Sequence, residues 1–257
     1  MPVVAALLDG TGALATLRRA LSASTHAKVR GCRSGAALIR LVADELVDAV
    51  VLGVKSQQTL PLAAFRRRFA TVPVVVYGAF RAEDARLLLE LDRLGVAAVL
   101  VEGLDDPLVG ERIVQSGSTA SRRESLANLP RLLRLTEPLQ RRAFDLLVGS
   151  MGRSPSTTVI ARKLKVSREH LSRQFGAGGA PNLKRVVDLL RLLGVRHVMG
   201  GGETPMAAAA SLYGFSSTSH LRVSIRRTFR LEPDDFVATG QPDLVRRFIQ
   251  AGARSRG

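Results

Sequence analysis

Two rhythms of hydrophobic and polar positions divide the chain. Up to residue 101, short β-branched runs at 3–8, 27–31, 49–54, 72–77 and 97–101 alternate with stretches whose apolar residues recur at helical spacing, at 14–22, 36–43, 62–69 and 83–94. Continuous apolar runs suit strands buried on both faces, and the intervening stretches bury one stripe and keep an arginine-bearing face outward. The alternation predicts an α/β domain with a five-stranded doubly wound parallel sheet, a fold that takes ligands beyond the carboxyl ends of its strands.

From residue 126 onward the period is helical alone. Residues 126–135 read as a short connecting helix, and 137–148 as an amphipathic helix offering Leu139, Phe144, Leu146 and Leu147 to a core, ended by 149–156. A longer amphipathic helix over 182–199 is built on Leu183, Val186, Val187, Leu190 and Val195. Between the two rhythms, 116–123 shifts to Gly, Ser, Thr and Arg, the strongest linker signal in the chain. The predicted organisation is an α/β domain over 1–116, a linker and connecting helix over 117–135, an all-α domain over 136–240, and a basic tail over 241–257.

Charge sharpens that division. The formal net charge is +16, yet residues 1–120 hold 14 Lys/Arg against 12 Asp/Glu, which leaves 24 against 10 for the remainder. A strongly basic second half attracts the phosphate backbone of nucleic acid, with binding that weakens as salt rises. No apolar run approaches the roughly 20 residues of a membrane span, and no leader pattern opens the chain, so a cytoplasmic protein without membrane contact is expected. Cys32 is the single cysteine, and the four histidines are scattered, so neither disulfide nor metal site is expected. There is no Gly-rich phosphate loop, paired acid and base, or nucleophile elbow, and hence no enzyme, catalytic residue or cofactor is predicted.

Residues 157–175 read as helix, tight turn, helix. Ala161 is small where two helices must cross closely, Leu164 and Val166 flank the turn, Ser167 is a good N-cap, and Leu171 and Phe175 continue the inner face. The second helix then points Arg168, Glu169, Ser172 and Arg173 outward, as a helix entering a major groove requires. A second copy follows at 204–229, with Thr204 as N-cap, Pro205 at the first helical position, Ala210 at the crossing and Gly214 in the turn. His170 and His220 read as packed or hydrogen-bonded helix residues.

The stretch from Ala210 to Leu221 resembles the second helix-turn-helix motif of the AraC/XylS regulators, and Ser167 to Phe175 resembles the first; the likeness covers 136–237. It implies base reading by Glu169, Ser172 and Arg173 in one motif and by Ser219, His220, Arg222 and Val223 in the other. Arg168, Lys184, Arg226 and Arg227 are implied as phosphate contacts that set register. The chain departs from the pattern at Lys165, Val223, Ile225 and Arg230. A connecting helix of 18 residues spans about 27 Å, comparable to the ~34 Å between successive major grooves on one face of DNA.

The first half resembles response-regulator receiver domains over about 110 residues, in framework and not in chemistry. Asp9 stands where an acidic pair binds magnesium, with Gly10 in place of its neighbour; Gly53 replaces the phosphorylated aspartate, Gly78 a hydroxyl residue, and Glu102-Gly103 a Lys-Pro pair. Aspartyl phosphorylation needs a carboxylate nucleophile, a metal cage and a cation, so a phosphorylation-incompetent domain for dimerisation, partner docking or ligand input is expected. The resulting expectation is a transcription regulator specific for double-stranded DNA, a homodimer through its first domain, with RNA polymerase as a further candidate partner. A nonspecific architectural DNA-binding protein is the alternative.

Overall fold

The computed structural model describes residues 2–24, 27–150 and 155–253. The chain divides into two compact units, Met1–Arg122 with Gly201–Glu203, and Arg123–Gly200 with Thr204–Gly257.

In the first unit, β1 (Val3–Leu7), α1 (Thr11–Ser24), β2 (Lys28–Gly31), α2 (Gly35–Asp44), β3 (Ala49–Leu52), α3 (Ser56–Thr59), α4 (Leu62–Arg68), β4 (Val74–Gly78), α5 (Ala85–Arg93), β5 (Ala98–Val101), α6 (Val109–Ser116) and α7 (Ser118–Ser125) succeed one another, α7 running into the second unit. All strand pairs are parallel, in the order β2-β1-β3-β4-β5. The chain reverses direction between β1 and β3, the position where doubly wound sheets form their crevice. Side chains alternate between the two faces. Val50, Leu52, Val74 and Val76 pack with Leu38, Phe65 and Leu91, while Ala49, Val51, Val75 and Tyr77 pack with Leu17, Leu21 and Ile113. Burial on both sides is why these strands read as unbroken apolar runs.

The predicted linker over 116–123 is largely helical. Asp48, 1% exposed, accepts the Thr119 backbone N–H at 2.7 Å, and its carbonyl accepts that of Ser118 at 2.8 Å. A Cβ at Gly117 would lie 2.5 Å from the Asp48 carboxylate, so glycine lets the chain approach its anchor. The Gly/Ser composition that marked a linker reflects this close docking and the start of a helix.

The second unit continues with α8 (Leu129–Leu132), α9 (Pro138–Val148), α10 (Thr157–Leu164), α11 (Arg168–Phe175), α12 (Leu183–Gly200), α13 (Met206–Leu212), α14 (Thr218–Phe229), α15 (Pro233–Ala238) and α16 (Gln241–Ala253). Part of the break expected over 149–156 falls on 151–154, outside the described residues, as do 254–257 of the tail. The rest of that tail is α16, which buries Leu244, Val245 and Phe248. Its apolar residues at i, i+1 and i+4 form a core-facing stripe that the arginines between them concealed.

Candidate nucleic-acid interface

The two helical pairs are built alike. In the first, Lys165 closes α10 in the left-handed region (φ 57°), and Ser167 caps α11 by accepting the His170 N–H at 3.1 Å. In the second, Gly214 supplies the left-handed turn (φ 70°), and Ser217 caps α14 by accepting the His220 N–H at 3.0 Å. Pro205 occupies the N-cap position of α13, one residue later than expected with Thr204 as cap; helix boundaries shift by this much with small changes in terminal geometry. Ala161 and Ala210 are buried at the crossings, and Leu171, Phe175, Leu221 and Ile225 turn inward.

That packing leaves a polar row outside. Arg168, Glu169, His170, Ser172 and Arg173 are exposed on α11, and Ser219, His220, Arg222 and Val223 on α14. Val223 is 58% exposed, an apolar side chain on an otherwise polar helix face. His220 is partly committed: its Nδ1 lies 3.1 Å from the Ser216 hydroxyl, and its ring meets Phe215 edge-on at 5.5 Å.

The four residues implied as phosphate contacts differ in their surroundings. Arg168 and Lys184 are exposed and carry no ion pair among the described residues. Arg226 grips Glu232 with two guanidinium nitrogens, at 2.6–3.1 Å. The hydrogen bond raises the arginine pKa and lowers that of the carboxyl. Arg227 reaches Asp188 on α12 at 3.0 Å. These two arginines therefore present less charge to an anion than their number suggests.

Two positioning residues escaped the sequence reading. Gln140 is fully buried; its amide group donates toward the carbonyls of Gln174, Phe175 and Ala177 at 2.9–3.2 Å, and its Oε1 accepts the Glu137 N–H at 3.0 Å. It thus satisfies orphan carbonyls at the end of α11 while starting α9. Arg191, half-buried on α12, donates to the carbonyls of Tyr213 at 3.0 Å and Gly214 at 2.7 Å, and its guanidinium lies 4.0 Å over the Phe215 ring. Burial lowers its pKa, opposed by the charge of Asp188. Signals for both existed: Gln140 is the third residue after Glu137, a capping-box spacing, and Arg191 interrupts an otherwise apolar run from Leu189 to Leu193.

A family model described as a helix-turn-helix domain matches residues 160–239. These residues are an AraC-type helix-turn-helix domain. Within it, α11 and α14 occupy the place of the second helix of each motif. Among solved structures, the chain is similar to full-length FixJ from B. japonicum, 16% identical over 75% of this chain and 97% of that one, with a TM-score of 0.40. It is also similar to the Salmonella typhimurium response regulator RcsB, 15% identical over 74% of this chain and 99% of that one, with a TM-score of 0.39. A two-component response regulator RcsB–DNA complex gives 16%, 84%, 99% and 0.39. No curated protein matches the chain.

At the strand ends of the first unit, Asp9 follows β1, Gly53 follows β3, Gly78 ends β4 and Glu102 follows β5. The Asp9 carboxylate accepts the backbone N–H of Lys55 at 2.9 Å and both the N–H and hydroxyl of Ser56 at 2.6 Å. A Cβ on Gly53 would sit 2.6 Å from that carboxylate, and one on Gly78 would sit 2.9 Å from the Val54 side chain. A Cβ on Gly10 meets nothing within 4 Å. Asp9 thus caps the chain after β3 and fills the space a side chain at position 53 would need. Among the described residues, no group of three or more His, Cys, Asp or Glu could hold a metal, and no helix is long and apolar enough to cross a membrane.

Proposed function

We propose that the chain is a transcription regulator that binds specific sequences of double-stranded DNA, with α11 and α14 entering successive major grooves. The observation that carries this reading is the pair of serine-capped helices, each after a left-handed turn, each turning an exposed polar row outward. Glu169, Ser172 and Arg173 read bases from α11, and Ser219, His220, Arg222 and Val223 from α14. Arginine can give two parallel hydrogen bonds to guanine, glutamate accepts from cytosine N4, and an exposed valine suits a thymine methyl group. Arg168 and Lys184 hold phosphates directly; Arg226 and Arg227 do so with their carboxylate partners close by.

The first unit serves as a phosphorylation-incompetent receiver-like domain, and homodimerisation is its leading role. Support comes from the steric exclusion at Gly53 and from four large apolar side chains left exposed, Leu88, Leu89, Leu104 and Leu108. Incubation with acetyl phosphate and magnesium should leave the intact mass unchanged. Sedimentation should show a dimer that Leu89→Asp with Leu104→Asp dissociates.

The direct test is selection of genomic DNA fragments at near-physiological salt, run beside Arg173→Ala. The expected result is an enriched motif that the variant relaxes at one base pair, by about 1–3 kcal/mol of discrimination. Equal retention of unenriched DNA by both proteins would establish the architectural alternative instead.

A further inference from the structure

The second unit contains a hollow of about 340 Å³ where the start of α12, the end of α14 and α16 contribute side chains. Lys184, Arg185, Arg227 and Arg230 line it against a single carboxylate, Asp188, and the otherwise buried Phe248 borders it. A second hollow of about 290 Å³ shares Arg185 and Phe248 and continues to Leu132 and Ile249, both exposed. Four cations and one acid around a concavity favour an anion, and the adjoining apolar surface favours a ligand with a hydrophobic body. Arg230 adds a second signal: it holds a left-handed backbone (φ 56°), a conformation in which glycine carries no strain, and places a cation on the rim.

We propose that these hollows form a site for a small anionic ligand with an apolar body, of the aryl phosphate class, and that its occupancy weakens DNA binding. The link runs through Asp188. Its Oδ2 accepts from Arg227 at 3.0 Å, and its Oδ1 lies 3.9 Å from Arg191, the residue that holds the turn of the second motif. A ligand anion that draws Arg227 away leaves the Asp188 charge to Arg191, which then holds the Tyr213 and Gly214 carbonyls less firmly. The added negative charge also reduces the attraction for phosphate. Only this coupling rests on the DNA-binding reading; the ligand site stands without it.

Calorimetric titration of the full chain with phenyl phosphate, in the absence of DNA, tests the site. The expected result is one bound ligand per chain, with affinity at least tenfold lower in Arg230→Gly combined with Lys184→Gln, and far weaker binding of inorganic phosphate and of phenol. Absence of binding, unchanged affinity in the variant, or equal binding of inorganic phosphate overturns the proposal, whatever the chain does with DNA. Phenyl phosphate should then lower affinity for the selected operator by about fivefold, a typical coupling between two sites. Arg230→Gly alone should shift that effect to higher phenyl phosphate concentration while leaving operator affinity without ligand unchanged. Loss of operator affinity in Arg230→Gly without ligand would mean that the hollow seats a DNA phosphate and would overturn the free-ligand site.

Discussion

The second helices of the two motifs are held in place by different chemistry. α11 is fixed at its far end by a neutral amide, Gln140, buried beneath it and shared among three carbonyls. α14 is fixed at its near end by Arg191, which grips the preceding turn and belongs to a chain of charges through Asp188 to Arg227. A buried, fully used amide responds weakly to salt or ligands, because its partners are fixed and uncharged. A partly exposed ion network can be redistributed by any competing charge. The first motif is thus built to hold one geometry, and the second to be adjusted.

Breaking the anchor of α11 should have the largest effect. Gln140→Leu leaves buried carbonyls without a donor and removes the capping box of α9, which should cost about 3 kcal/mol by chemical denaturation. In footprinting, protection should fail first at the half-site proposed for α11. Next comes Gly194→Ala on α12: the new Cβ would fall 2.2 Å from the Tyr213 ring, so the second motif must shift to admit it. Overpacking of this kind should cost about 2 kcal/mol, with protection lost at the opposite half-site. Arg191→Met keeps the apolar stem and removes the donors; about 1 kcal/mol of stability should be lost. Affinity of the second half-site should also lose its dependence on the ion network. If Gln140→Leu and Arg191→Met damage both half-sites equally, the distinction between the two anchors is wrong.

Most of this architecture is legible in the sequence, and the gaps have physical causes. The five strands and the helices of both motifs are marked by strong periodicity and fall within a few residues of the expected ranges. α6 is short, with only Val109, Gly110 and Ile113 buried, too few positions to establish a period. α16 was hidden by Arg246 and Arg247, which separate the buried Leu244 and Val245 from Phe248 along the chain. Outward-facing residues of α11 and α14 follow from helix phase alone. Which arginines are already paired does not, because the partners of Arg226 and Arg227 lie on other elements, 6 and 39 residues away in sequence. Nor does the fate of Asp9, since its role depends on residues 55 and 56 meeting it across the sheet.

The Arg226–Glu232 pair offers a pH-dependent perturbation of the second motif alone. The Glu232 carboxyl titrates below its ordinary value of 4.5 in the folded chain, because it is hydrogen-bonded to the guanidinium. A depressed folded value means that the contribution is complete above 4.5 and is lost as pH falls through the folded value. Glu232→Gln should therefore lower stability slightly at neutral pH, and the difference should vanish once pH has fallen below the folded value. Both groups are solvent-exposed, so the difference should be small and should shrink further in high salt.

The turns provide the finest contrast. Both require a left-handed residue, and one motif uses Gly214 where the other uses Lys165. A lysine there carries roughly 1–2 kcal/mol of local strain, while glycine loses more backbone entropy on folding by roughly 0.5–1 kcal/mol. Lys165→Gly should accordingly stabilise the chain by no more than about 1 kcal/mol, read as a higher denaturation midpoint with unchanged slope. The same change removes one exposed cation beside α11. If Lys165 stands near the DNA backbone, the slope of log affinity against log salt should fall by about one unit. An unchanged slope with increased stability would mean that the lysine serves neither the turn nor the phosphate, and that the first motif keeps its geometry without help from that position.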